Sequence, residues 1–185
     1  MESWSKKRLK YAKRIVKQGM KNPFYTMTSV ITEKGVNILL RNSDGELSNL
    51  SGCAGYYCIY REKNKKLECL YVGKTDHSIQ NRIHRWAKGV AGKLREDETH
   101  SAATKARHDG VKLSDKIMIK TIEMDDVNRL VDDKWIRDEP LDEWIAPLLK
   151  SKYNTMTFEE CGSLEDLDRK STRLNSSHRC ISYAV

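Results

Sequence analysis

Residues 55–73 read GYYCIYREKNKKLECLYVG, and the fold is decided here. GYYCIYRE (55–62) and LECLYVG (67–73) are dense in aromatic and aliphatic residues, and the polar run REKNKK (61–66) joins them, a pattern that predicts a β-hairpin. Working downstream, Ser78 is placed to cap a helix through IQNRIHRWAK (79–88). His100 to His108 predicts a short helix ended by Gly110. KIMIKTIEM (116–124) alternates as a third strand. Asp125-Asp126 is expected to cap a last helical region, which Pro140 and Pro147 divide into short pieces over 127–150. The order β-β-α-α-β-α predicts an α/β (α+β) fold, with a small three-stranded mixed or antiparallel sheet flanked by helices.

Upstream of the hairpin, Ser5 is expected to cap a helix whose apolar residues Leu9, Ala12, Val16 and Met20 recur three or four apart. Lys6, Lys10, Lys13 and Lys17 repeat on another face. Asn22-Pro23 breaks this helix, and the apolar content of TMTSVITEKGVNILLR (26–41) predicts a second one. Residues 42–55 read as a Ser/Asn/Gly-rich connection. The expected organisation is a basic helical N-terminal extension over 1–50 and a main domain over 51–160.

The 185 residues hold 34 Lys+Arg against 26 Asp+Glu, a length that suits one domain with its own core. Charged residues are 32% and aromatics 8%, with 3 Pro and 10 Gly, which excludes a low-complexity or collagen-like chain. No apolar run reaches the ~18 residues that cross a bilayer, and no secretory signal opens the chain, so a cytoplasmic protein without membrane attachment is expected. The polar string DRKSTRLNSSHRCISYAV (168–185) resembles the in-frame translation of a sequencing adapter, with Arg179-Cys180 at its variable index. It is expected to lie outside the fold as a non-native tail, and if the adapter joins the gene at Leu167 the native C-terminus is missing.

Without that tail, 30 basic residues face 25 acidic ones, a net of +5. Residues 1–21 alone carry eight bases against Glu2, while 124–167 carries twelve acids against five bases. A basic element on a neutral or acidic body predicts a polyanion partner, with a solvated helix face as the plainer reading. Cys53, Cys58, Cys69, Cys161 and Cys180 form no Cys-x-x-Cys pair, and His77, His84, His100 and His108 are scattered. Free thiols in a reducing compartment are expected, without structural zinc.

Gly55-Tyr56-Tyr57, then Tyr71-Val72-Gly73-Lys74, then Arg82, Glu143 and Asn154 together resemble the GIY-YIG nuclease superfamily over residues 55–154, with Tyr56 where the first half-motif has Ile. Asn22-Pro23-Phe24 upstream, the spacing from Lys74 to His77, and Pro140-Leu141-Asp142-Glu143 after Trp135-Ile136 are similar to the restriction-endonuclease branch. The resemblance implies a metal-dependent endonuclease hydrolysing phosphodiester bonds in double-stranded DNA at a short specific site, a type II restriction enzyme acting as a homodimer. Alternatives are a non-catalytic nucleic-acid-binding module of the same fold and a structure-specific repair or homing nuclease.

The chemistry explains the residue types. Phosphodiester hydrolysis gathers negative charge on the phosphoryl and leaving oxygens, so cations must converge there. The resemblance gives Arg82 a phosphate oxygen to hold and Glu143 a hard ion, Mg²⁺ or Mn²⁺, with Glu139 and Asp142 as competing carboxylates. Tyr57 is expected to activate the attacking water and Tyr71 to orient it, with a phenol pKa depressed by Lys74, the metal or both. His77 and His84 compete for a supporting role, and Asn154 completes the set. The basic helix, through Lys6, Lys10, Lys13, Arg14 and Lys17, is expected to track the DNA backbone. Each residue also has a bland reading: tyrosines that pack a sheet, a surface arginine, an asparagine that ends a helix.

Overall fold

The computed structural model describes residues 3–95, 98 and 100–154. The expected tail at 168–185, Cys161 and Cys180 lie outside the described residues. Strand β4 (Gly55–Lys63) turns at Asn64-Lys65 into β5 (Lys66–Thr75), in the predicted hairpin. Both turn residues have positive φ, 53° and 61°, the backbone hand that matches the twist of the paired strands. Along β4 nearly every residue is buried, because helices cover both faces of the sheet. Tyr57 and Ile59 enter one core while Tyr56 and Tyr60 enter the other, as the two-residue period of a strand requires.

The predicted helix over 26–41 is instead a hairpin, β1 (Tyr25–Thr32) and β2 (Gly35–Arg41), paired from Thr26↔Arg41 to Thr32↔Gly35. Thr26, Thr28, Val30, Ile31 and Thr32 are β-branched and favour an extended backbone, and Gly35, at φ 149°, re-enters the ladder after a two-residue turn. A short β3 (Leu47–Ser48) extends the sheet within the expected connection. β1 also pairs with β6 (Lys116–Glu123), the predicted third strand. Among the described residues the sheet therefore has six antiparallel strands rather than three, ordered β3-β2-β1-β6-β4-β5. The segment 1–50 is not a helical extension but supplies half of those strands.

Among the described residues six helices accompany the sheet. α1 (Trp4–Gly19) is capped by Ser3, two residues earlier than the expected Ser5: the Ser3 hydroxyl accepts from Lys6 N–H. It lies against one face with α4 (Met124–Leu130), α5 (Lys134–Arg137) and α6 (Asp142–Leu148), burying Tyr11, Ala12 and Ile15. Asp125 and Asp126 fall in the first turn of α4, where the helix dipole favours them, but Glu123 holds the cap position and makes no side-chain cap bond. On the other face lie α2 (Ile79–Ala91), capped by Ser78 as predicted, and α3 (Ser101–His108). Their buried residues, Ile79, Ile83, Trp86, Ala103 and Ala106, close that core.

α1 stops at Gly19 with Met20 as its C-cap, just before the expected break at Asn22-Pro23. The buried Lys120 ammonium donates to the Met20 and Asn22 carbonyls at 2.6 and 2.8 Å and sits 4.5 Å from the Phe24 ring centre. A cation at the negative end of α1 offsets the helix dipole and ties the helix to β6. Among the described residues no helix is long and apolar enough to cross a membrane.

Candidate active-site cleft

β5 is an edge strand, and at its edge the α2–α3 layer meets the first turn of α6 around a cleft of about 920 Å³. Two glycines of the hairpin are required by packing. A Cβ on Gly55, at φ 149°, would collide with the Ile122 carbonyl of β6, and one on Gly73 would lie 2.6 Å from Tyr57 Cζ and Oη. The Tyr57 ring is therefore laid across Gly73, its partner in register.

Two residues earlier on the same face of β5, Tyr71 lines the cleft, its ring 6.1 Å from that of Tyr57. Tyr57 is buried behind, and Tyr71 faces the cleft. Burial pushes Tyr57 far above the ordinary phenol range, and proximity to Tyr71 adds to this; Arg82 pulls the other way. Tyr71 is also raised by burial and by Asp142, but Arg82 and the neighbouring Tyr57 hydroxyl both lower it. A depressed phenol pKa is not found in the protein by itself.

Arg82, exposed on α2, lines the cleft, and no carboxylate of a described residue pairs with it. The three competing carboxylates are placed differently. Arg8 binds Glu139 through two hydrogen bonds, the one from Nη2 to Oε1 being 2.7 Å, and so holds Glu139 toward α1. Asp142 and Glu143 line the cleft instead. Asp142 Oδ1 is buried without a hydrogen-bond partner. Burial raises the Asp142 carboxyl, against the opposing pull of backbone N–H groups and Lys74. Burial and the neighbouring Asp142 raise Glu143, opposed by Arg8.

The Lys74 ammonium lies 3.5 Å from Asp76, and its charge also lowers the Asp142 carboxyl. Asn154 uses its amide on the strand edge: Nδ2 donates to the Val72 carbonyl and Oδ1 accepts from Val72 N–H, both at 2.8 Å. With backbone bonds from Lys152 and Tyr153 to Cys69 and Leu70, this pins the chain to β5 and positions Tyr71 and Val72.

Neither expected histidine is brought to the cleft. His77 is exposed in the loop before α2, and His84 binds the Val36 carbonyl on β2. His100, read only as the start of a helix, stands there instead, packed edge-on 5.2 Å from the Tyr71 ring. Its Nδ1 accepts from Ala103 N–H and so caps α3, which leaves the imidazole proton on Nε2. Burial, then Arg85 and Arg82, hold its pKa below the ordinary histidine range. Nothing local in the sequence marks His100, since its partner Tyr71 is twenty-nine residues away.

The donor chemistry can be judged against a divalent cation. Two adjacent carboxylates, one with an orphaned buried oxygen, are hard ligands of the number Mg²⁺ takes from a protein when phosphate and water complete its shell. The described residues hold no cluster of three or more His, Cys, Asp or Glu that would cage a metal alone. The lysines expected to touch DNA, Lys6, Lys10, Lys13 and Lys17, with Arg14, are exposed on α1, on the opposite face of the sheet from α2 and α3. Compared with known proteins, the chain matches no family model, no curated protein and no solved structure.

Proposed function

We propose that this protein is a metal-dependent DNA endonuclease of the GIY-YIG kind, acting on double-stranded DNA as restriction enzymes do. The observation that carries the reading is the convergence of Tyr71, Arg82, Asp142 and Glu143, from three separate elements, on one cleft. Asp142 and Glu143 would hold Mg²⁺ or Mn²⁺, and the bound ion would supply Lewis acidity at the phosphate. Arg82 donates to a non-bridging phosphate oxygen, where its fixed charge is worth most as the transition state gathers negative charge. Tyr71 takes a proton from the attacking water; the Arg82 charge and the Tyr57 hydroxyl behind it favour the phenolate that this step needs. Asn154 keeps Tyr71 in place by pairing with the next residue of β5. Cutting both strands of a palindromic site would require two copies related by a two-fold axis.

Plasmid DNA incubated with the full chain and Mg²⁺ should give discrete fragments, and EDTA should prevent them. Tyr71→Phe, Arg82→Ala and Glu143→Gln should each reduce the cleavage rate by about 10²-fold or more. Binding without cleavage by the unsubstituted protein would replace the nuclease reading with that of a non-catalytic DNA-binding module.

A further inference from the structure

We infer that the cationic wall built by α2, α3 and Arg95, rather than the lysine face of α1, carries the phosphate backbone of duplex DNA; this rests on the nuclease reading above. Arg82, Arg85, Arg95, Lys105 and Arg107 all line the cleft from that side. Glu98 is engaged by Arg95 at 3.6 Å, and no carboxylate of a described residue pairs with Arg85, Lys105 or Arg107. The acids Asp142 and Glu143 line the same cleft from α6, and Glu98, paired with Arg95, is the one described acid on the wall itself.

Two further observations point to an anion on this wall. Arg85 Nε is buried with no hydrogen-bond partner, so a guanidinium donor stands beside the cleft unused. His100, between these arginines and Tyr71, is held neutral partly by their charge, which marks a local field that awaits compensation. The helices are set to present this wall. α2 ends at Gly92 in the left-handed region, φ 68°, and a Cβ there would collide with the Arg107 guanidinium, which lies across the end of α2.

A partner recognised by stacking would meet open aromatic faces. Here Tyr71 packs against Tyr57 and His100, and Tyr153 hydrogen-bonds Asp109 beneath the Lys152 ammonium. The wall therefore meets phosphates, and a duplex presents them in a fixed array. The lysines of α1 lie on the other helical layer and line no part of the cleft.

The test is binding of a labelled mixed-sequence DNA duplex, in EDTA, across a salt titration. The full chain carrying Arg85→Gln, Lys105→Gln and Arg107→Gln is compared with one carrying Lys6→Gln, Lys10→Gln, Lys13→Gln and Lys17→Gln. The wall variant should lose about 10²-fold in affinity, and its slope of log affinity against log salt should become shallower by about 3, one unit for each lost phosphate contact. Arg107→Lys, which restores charge, should recover part of the slope, as a loss through misfolding would not. An unchanged slope in the wall variant, with a loss in the α1 variant, overturns the inference while the nuclease reading stands. Displacement of the duplex equally well by single-stranded DNA or by RNA overturns the assignment to duplex DNA. Failure of the unsubstituted protein to bind the duplex overturns both.

Discussion

At Asp142 the chain buries a carboxyl whose Oδ1 meets no donor and whose pKa burial drives upward. A carboxyl with a raised native pKa costs stability wherever it is ionised, above that pKa, and costs nothing below its unfolded value near 4. Asp142→Asn should therefore stabilise the metal-free protein by about 1 kcal/mol at neutral pH, with the gain vanishing as pH falls through the raised carboxylate range. Thermal unfolding in EDTA at a series of pH values checks this; an Asn variant that is less stable at neutral pH would contradict it. Mg²⁺ should raise the unfolding temperature of the parent protein and leave that of the variant unmoved. A second residue-scale expectation concerns His100. Proton NMR should find its imidazole titrating below the ordinary histidine value, and Arg85→Gln should move it upward, because a cation beside it is removed.

At the scale of elements, α1 is held by charge as well as by its apolar stripe. The Arg8 guanidinium, buried on α1 and 5.9 Å from the Trp144 ring centre, holds Glu139 just before α6, and Tyr11 hydrogen-bonds Asp132 beyond α4. Removing one partner of a mostly buried pair strands the other. Arg8→Ala should cost about 2–4 kcal/mol in denaturant unfolding, and Arg8→Ala with Glu139→Ala less than the sum of the two single changes by at least about 1 kcal/mol. Additive single changes would mean that the pair is not coupled. The same contact removes Glu139 from the cleft, so α1 decides which acid is available without contributing to the cleft itself.

For the whole molecule, the two cores are unusual in how many phenols they bury. Tyr56, Tyr57, Tyr60 and Tyr71 are all pushed above the ordinary phenol value, in each case chiefly by burial. The native state thus holds these protons more tightly than the unfolded chain does, and the stability they confer is complete below pH about 10 and lost as pH rises beyond it. Alkaline titration should show phenolate absorbance and loss of near-UV circular dichroism together, as one cooperative event. Phenols that ionised well before unfolding would contradict the burial. The thiols follow the same logic: Cys69 is raised to about 12 and Cys58 well above its ordinary value, both by burial, as suits free cysteines that pack rather than react.

The sequence by itself determined the β4–β5 hairpin, α2 with its Ser78 cap, α3 and β6, because each is written in local terms: a two-residue or helical period, a polar turn, a capping hydroxyl. It also singled out Tyr71, Arg82, Glu143 and Asn154, four residues that do line one cleft. Residues 26–41 were misread because apolar content alone does not separate a strand from a helix, and the β-branched residues that favour the strand act only once β6 and β2 are there to pair with. The remaining decisions belonged to tertiary structure. Only the packed chain puts Arg8 on Glu139, His100 against Tyr71, His84 on β2 and Asn154 on the edge of β5. These are meetings between side chains far apart in sequence, and their geometry is set by which faces of helices and strands are buried together, a property that no single stretch of residues contains.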